Sequence, residues 1–212
     1  MSTEYHKIET LYERDPVTFK VNPGALKNRT YSLLREWEWT EKVDGTNIRV
    51  MWDSAAGAVT FGGKTDNAQI HADLVKYLYA TVTADKLLAV FPPPAPVVIY
   101  GEGYGAGIQK GGGYRPDKAL IVYDVLVDGK WWLSGDNVAD VCAKLGLDMV
   151  PRLGTMTLEA ATEMVRAGFK SRVTGATCDA EGVVGRPAET LFDKKGARLI
   201  VKLKTKDFGA SR

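Results

Sequence analysis

Hydrophobic and polar positions along this chain mostly alternate in short runs, which is the period of β-strands rather than helices. Residues 47–52 (NIRVMW) and 58–61 (AVTF) flank the turn-rich DSAAG at 53–57, which predicts a hairpin. Residues 96–100 (PVVIY) form a short apolar strand, and 119–127 (ALIVYDVLV) a longer one. Asp128-Gly129 and then residues 130–133 follow, a second hairpin signal. Further strands are expected at 182–184 and 199–203. Helical spacing is rarer. Ile70, Leu74 and Leu78 recur every fourth residue within 68–78. Segments 136–145 and 158–169 also read as helices, the second entered by Thr157 as N-cap. Pro92-Pro93-Pro94 stiffens the approach to the strand at 96. No internal repeat and no change of composition divides the chain. The pattern predicts an α+β fold, mostly antiparallel, in one domain spanning 1–212.

Composition narrows the class. Of 212 residues 45% are hydrophobic and 25% charged, a globular balance that excludes disordered and collagen-like chains. The two cysteines, Cys142 and Cys178, form no CxxC pair, so neither a zinc ribbon nor a disulfide scaffold is expected, and a reducing cytoplasm is the expected location. No apolar run approaches the ~20 residues needed to span a bilayer, and the polar start Met1-Ser2-Thr3-Glu4 is not a signal peptide. A net charge of +2 does not support coating nucleic acid by bulk charge, but it leaves room for a local basic track.

Two nucleotide-binding motifs fail on context. Gly101-Glu102-Gly103-Tyr104-Gly105-Ala106 fits G-x-G-x-x-A after a strand, with Asp124 at the end of the next hydrophobic run. The dinucleotide fingerprint needs a helix to open at that point and hold the pyrophosphate. The continuation GIQKGGGYRPDK, with four glycines and a proline, cannot supply one. Gly63-Lys64-Thr65 resembles the tail of a phosphate-binding loop, but the first glycine of that motif would stand where Ala58 is.

A different set of residues carries chemistry. Lys42-Val43-Asp44-Gly45 (K-x-D-G) precedes a strand. On its own it reads as a turn with an exposed lysine, because Asp-Gly is a turn dipeptide. Read in order along the chain, however, it is followed by Gly101-Glu102-Gly103, the aromatic-acidic pair Tyr123-Asp124, Glu181-Gly182-Val183-Val184 and Lys202-Leu203-Lys204. This ordered set resembles the covalent nucleotidyltransferases, the ATP-dependent ligases and messenger-RNA capping enzymes. Their motifs are K-x-D-G, a G-E segment, an aromatic strand, E-G-[VL]-V and K-x-K, and the match runs from position 41 to 204. Gly45-Thr46-Asn47 places Asn47 five residues after Lys42, where DNA ligases and capping enzymes usually carry arginine. Asn47, Glu41 and the N-terminal Tyr5-His6-Lys7-Ile8 are similar to the RNA ligase 2 type.

The resemblance implies a nucleotidyltransferase (ATP-grasp-like) domain of mostly antiparallel sheets flanked by helices. It implies an ATP-dependent RNA ligase that joins 3′-OH and 5′-phosphate ends through lysyl-AMP and an adenylylated 5′ end. ATP is then the co-substrate, Mg²⁺ or Mn²⁺ the metal, and RNA the partner, as nicked or bridged duplex ends, with RNA/DNA hybrids a further substrate class. Lys42 would be the nucleophile. A lysine with the ordinary pKa of ~10.4 is only ~0.1% neutral near pH 7.4, so the site must favour the neutral amine. Lys202, Lys204 and the metal are the cations expected to do so. Alternation puts Lys202 and Lys204 on one strand face, from which both can reach one phosphate cluster. By resemblance Glu181 holds the metal, Glu102 the ribose hydroxyls, Tyr123 stacks on adenine, Glu41 reads the adenine edge, and Asn47 meets the ribose or the nucleic-acid end. Asp44 is assigned to turn geometry.

Two departures stand out. The family pattern has an arginine after the first hairpin, where this chain has Lys64, which keeps the charge but loses the bidentate fork. The sequence ends eight residues after Lys204, so neither an OB-fold nor a C-terminal helical domain is expected, and Lys194, Lys195, Arg198, Lys206 and Arg212 are candidates for a phosphate track. A minimal DNA ligase, a GTP-using capping enzyme and an inactive nucleotide- or RNA-binding module stay open as alternatives.

Overall fold

The computed structural model describes residues 4–208, so Arg212 and the first three residues lie outside the description. The chain forms two compact units and passes between them after His6, Val43 and Val150.

The first unit, residues 4–6 and Asp44–Val150, is built on a six-stranded sheet. Strands Thr46–Asp53, Ala58–Gly62, Val97–Tyr104 and Ala119–Val127 pair antiparallel, and Trp131–Trp132 turns back on the last of these. Asp148–Met149 adds a short parallel edge. Alternation decides the two faces. Ile48, Val50, Trp52, Val97, Ile99, Leu120, Val122 and Val125 point to one side, where they meet Leu74, Leu78, Leu87, Val138, Val141 and Leu145 from three helices. The other face carries polar and aromatic side chains.

Those helices partly match expectation. Gly135–Leu145 starts at the Ser134 cap and closes on left-handed Gly146. The helix expected at 68–78 runs instead over Ala72–Thr81, capped by the His71 side chain. Leu74 and Leu78 are buried as the spacing requires, but Ile70 lies ahead of the cap. A helix at Ala84–Val90, capped by Thr83, was not legible because its seven residues bury only Leu87. The strand expected to stop at 100 continues to Tyr104, so the glycine-flanked Glu102 sits inside a ladder rather than in a loop. No α-helix opens after it, in line with rejection of the dinucleotide motif.

The second unit, Lys7–Val43 and 151–208, holds a five-stranded sheet. Its order is Glu9–Thr10, Val201–Lys204, Gly182–Arg186, Trp37–Lys42 and Arg152–Met156. All pairs are antiparallel except the first, and a small hairpin of Tyr12–Arg14 with Val21–Leu26 lies beside it. Trp37, Trp39, Val183, Val201 and Leu203 form the buried face, covered by Leu158, Ala161 and Val165 of the helix Leu158–Ala167 and by Leu11, Tyr12 and Tyr31. That helix is capped by Thr157 as expected and ends two residues early, before Gly168, whose φ is positive. Trp39 is 1% exposed and its indole N–H donates to Met156 O at 3.1 Å. No helix among the described residues is long and apolar enough to cross a membrane.

Trp37 and Trp39 are the two tryptophans that the strand ending at Lys42 buries in this core. Trp39→Ala is expected to cost about 3–5 kcal/mol, as for other buried aromatic truncations, measurable as a lower midpoint in urea unfolding.

Candidate active site

The strand Trp37–Lys42 alternates buried and half-buried positions, with Trp37, Trp39 and Glu41 inward and Glu38, Thr40 and Lys42 on the opposite face. Lys42 is therefore not a loop residue, as K-x-D-G alone suggested. It closes a strand. In the ladder Gly182 stands opposite Lys42 on one side and opposite Lys204 on the other. The two lysines flank a residue with no side chain, and Glu181, one residue before it, reaches both. Lys42 Nζ lies 2.6 Å from Glu181 Oε2, and Lys204 Nζ lies 2.6 Å from Oε1. A Cβ at Gly182 would collide with the Leu203 carbonyl oxygen of the next strand, so only glycine lets the strands approach here.

Lys202 and Lys204 both stand on the half-buried face of Val201–Lys204, as alternation predicts. Burial pushes the Lys202 ammonium below the usual lysine range, and the charges of Lys204 and Lys42 push it the same way. Burial alone would raise the Glu181 carboxyl, but Lys42 and Lys204 outweigh it and hold the group below the usual carboxylate range. This face carries three lysines, two of them held by the single carboxylate of Glu181, an array suited to a polyphosphate.

Glu41 faces the other side of the strand. It is fully buried on the face away from Lys42, where its carboxylate accepts the Ser171 hydroxyl at 2.6 Å and the Arg172 backbone N–H at 2.7 Å. Burial pushes its carboxyl up, against the pull of these two bonds. Through them Glu41 ties the loop after helix Leu158–Ala167 to the residue next to Lys42. Sequence spacing gave no signal for this loop.

In the first unit Asn47, Glu102 and Tyr123 come together on the sheet face opposite the helices. Asn47 Nδ2 donates to the Tyr123 hydroxyl at 3.1 Å and to Glu102 Oε2 at 3.4 Å. Asn47 and Glu102 face each other in the ladder. Tyr123 is placed by a bulge: Tyr100 pairs with Asp124 and Gly101 with Val122, which leaves Tyr123 as the extra residue. Bulges re-aim side chains in this way next to functional sites. Burial keeps the Tyr123 phenol well above its ordinary range, with Glu102 adding to the effect, so it is a neutral donor or stacking ring. Tyr5 joins the same face, its hydroxyl donating to Asp124 at 2.7 Å and its ring set edge-on to Tyr100 and Tyr123. Gly45 passes so close to the Gly103 carbonyl that a Cβ would clash, which accounts for the glycine of K-x-D-G. The Asp44 backbone N–H donates to the Tyr114 hydroxyl at 3.2 Å, and the residue lies between the strand end at Lys42 and the bend at Gly45.

Lys64 is exposed in the loop after strand Ala58–Gly62. Pattern reading missed the residue that shapes this loop. Arg49 is 1% exposed, and its guanidinium donates to Gly63 O at 2.7 Å and pairs with Asp66 at 2.8 Å. An arginine in the middle of a hydrophobic strand was the available signal.

No group of three or more His, Cys, Asp or Glu side chains among the described residues could by itself hold a metal. Glu181 is the carboxylate available on the lysine face, and hard divalent cations such as Mg²⁺ typically bind through one or two carboxylates with waters and substrate phosphates. The donor set fits a metal that shares its coordination with a polyphosphate.

The sheet architecture and this lysine ladder define a nucleotidyltransferase-type domain, and residues 35–204 match the RNA ligase family model. The chain belongs to the RNA ligase family. A search of curated proteins gave no match. Solved structures of Naegleria gruberi RNA ligase share the fold: a lysine-to-alanine mutant with ATP and Mn has a TM-score of 0.66 at 14% identity, covering 95% of this chain and 61% of that one. A lysine-to-methionine mutant with AMP and Mn gives 0.66 at 14%, covering 95% and 62%. The form with PPi gives 0.66 at 15%, covering 96% and 62%. This chain thus spans about three-fifths of the length of those ligases.

Because Glu181 has a depressed folded pKa, its stabilising contribution is present above the ordinary glutamate range and is lost as pH falls through the folded value. The stability difference between wild type and Glu181→Gln should therefore shrink on acidification from pH 7 to 3 in urea titrations. Gly182→Ala is expected to force the ladder apart and lower the unfolding midpoint, a backbone effect of about 1–3 kcal/mol. Replacing the exposed Gly112, which has open space around it, is the comparison that should show no such shift.

Proposed function

We propose that this protein is an ATP-dependent RNA ligase of the RNA ligase 2 type, with residues 1–212 forming its adenylylation domain. The observation that carries the reading is the ladder Lys42–Gly182–Lys204, with Glu181 bridging the two ammonium groups and Lys202 on the same face. Lys42 Nζ attacks the α-phosphorus of ATP. The N–P bond forms, the bond from the α-phosphorus to the bridging β-phosphate oxygen breaks, pyrophosphate leaves with that electron pair, and the proton on the attacking nitrogen passes to solvent. Lys202 and Lys204 hold the negative charge that builds on the phosphate oxygens, a form of stabilisation that acts most strongly in a partly desolvated site. Their carboxylate neighbour Glu181 is also the residue that would hold Mg²⁺ or Mn²⁺. When bound, such an ion neutralises phosphate charge and orients the pyrophosphate leaving group.

The nucleoside falls to the other constellation. Tyr123 offers a neutral ring for adenine, Glu102 acceptors for the ribose hydroxyls, and Asn47 an amide that orients both. Lys64 takes the phosphate or ribose contact that arginine makes in the family pattern. Glu41 acts on the same reading by fixing the segment beside Lys42, and contact with the adenine edge is the further role proposed for it. AMP then passes to an RNA 5′-phosphate, and attack by a 3′-OH forms the phosphodiester and releases AMP. Nicked or bridged RNA ends suit this chemistry, because pairing pre-aligns the reacting atoms.

Intact mass after incubation with Mg²⁺ and each NTP tests the reading. A single AMP adduct with ATP is expected, with none in Lys42→Ala or Lys42→Arg. The arginine variant keeps the charge beside Glu181, so its loss of reaction is not a folding defect. Glu181→Ala, Lys202→Ala and Lys204→Ala should each slow adduct formation by on the order of 10²-fold or more. An adduct only with GTP, or near-normal reaction in the Lys42 variants, would contradict the assignment.

A further inference from the structure

The strands Gly182–Arg186 and Val201–Lys204 are joined by a protruding segment, residues 187–200, at the end of the ladder away from Glu181 and Lys204. Its tip is an ordered turn. Asp193 N–H donates to Ala197 O at 2.8 Å, and Asp193 Oδ1 accepts the backbone N–H groups of Lys195 at 2.8 Å and Ala197 at 2.9 Å. Phe192 and Arg198 pair across the base, and Leu199 N–H donates to Leu191 O at 2.8 Å. The turn fixes Lys194 and Lys195 at the apex, both exposed, above Leu191 and Phe192, which are 38% and 53% exposed.

Several exposed lysines have carboxylate partners, such as Lys144 with Asp140 at 2.7 Å, Lys170 with Asp179 at 2.8 Å and Lys130 with Asp128 at 3.1 Å, whereas Lys20, Lys64, Lys110 and Lys206 have none among the described residues. The ammonium groups of Lys194 and Lys195 have none among the described residues. Asp193, the acid between them and the strands, spends its Oδ1 on the turn, and Glu189 stands exposed at the base. Two adjacent lysines without carboxylate partners, two residues from an exposed phenylalanine on a hydrogen-bonded turn, match how single-stranded nucleic acid is held: phosphates on lysines and a base on the ring.

Resting on the RNA ligase reading, we infer that this turn is a docking surface for an unpaired RNA strand leading into the joint. The inference goes beyond the adenylylation site, and it names the groups that grip the polynucleotide at a distance from it. Strand rise of ~3.3 Å per residue puts the base of the turn roughly 15–20 Å from Glu181. That is the rise of about five stacked nucleotides, so the turn contacts RNA remote from the reacting ends and leaves adenylylation untouched.

Anisotropy of a fluorescein-labelled single-stranded RNA, titrated between 50 and 200 mM salt, tests this with Lys194→Ala/Lys195→Ala and Phe192→Ala. Loss of two phosphate contacts should reduce the slope of log affinity against log salt by about 1.4, so the affinity lost over this range is roughly sevenfold smaller. Phe192→Ala should weaken binding by about tenfold with the slope unchanged, the effect of one lost stack. All variants should form the AMP adduct at the wild-type rate, which separates this inference from the catalytic reading: absence of the adduct in wild type counts against the latter alone. A double-lysine variant with wild-type affinity and slope, or wild type that binds no RNA, overturns the docking surface.

Discussion

A single carboxylate bridging two lysines organises the catalytic face. Glu181 contacts Lys42 and Lys204 at 2.6 Å each, and it does so because Gly182 leaves the position between them bare. Take the bridge away and three ammonium groups face one another on half-buried ground, which self-repulsion and desolvation both oppose. With it, the face holds net positive charge in a fixed array. Burial, and then the charges of Lys204 and Lys42, push the Lys202 ammonium below the usual lysine range. A polyphosphate would offset that repulsion by supplying further anions.

Everything that positions the bridge is ordinary sheet physics. Trp37 and Trp39 anchor the nucleophile's strand by filling the opposite face, and Val183, Val201 and Leu203 do the same for its two neighbours. Alternation then forces Lys42, Lys202 and Lys204 onto the other side. The aromatic face of the first unit obeys the same rule, except at Tyr123, where a bulge adds one residue and turns its ring onto the face of Asn47 and Glu102.

Much of this was legible in the sequence, and what was not has physical causes. The strands at 47–52, 119–127 and 182–184 and the helix entered at Thr157 follow from periodicity and capping alone. The shared face of Lys202 and Lys204 followed from alternation. Helix Ala84–Val90 is too short and too little buried to leave a period. The strand running through Gly101 and Gly103 was hidden because glycine reads as a loop unless the close neighbour is known. Lys42 was read as a loop lysine because Asp-Gly marks a turn, yet the strand runs through Lys42 and the bend falls at Gly45. Glu41 carries no sign, in one dimension, of the Ser171–Arg172 loop that claims its carboxylate, since the partners are about 130 residues away.

The central claim is that the bridged lysine, rather than another amine of the same face, becomes covalently linked to the nucleotide. Peptide mapping by mass spectrometry of the wild-type protein after reaction with ATP and Mg²⁺ tests this directly. The account predicts a single AMP phosphoramidate on the peptide containing Lys42, with Lys202 and Lys204 unmodified. Modification at Lys202 or Lys204 with Lys42 intact would contradict it.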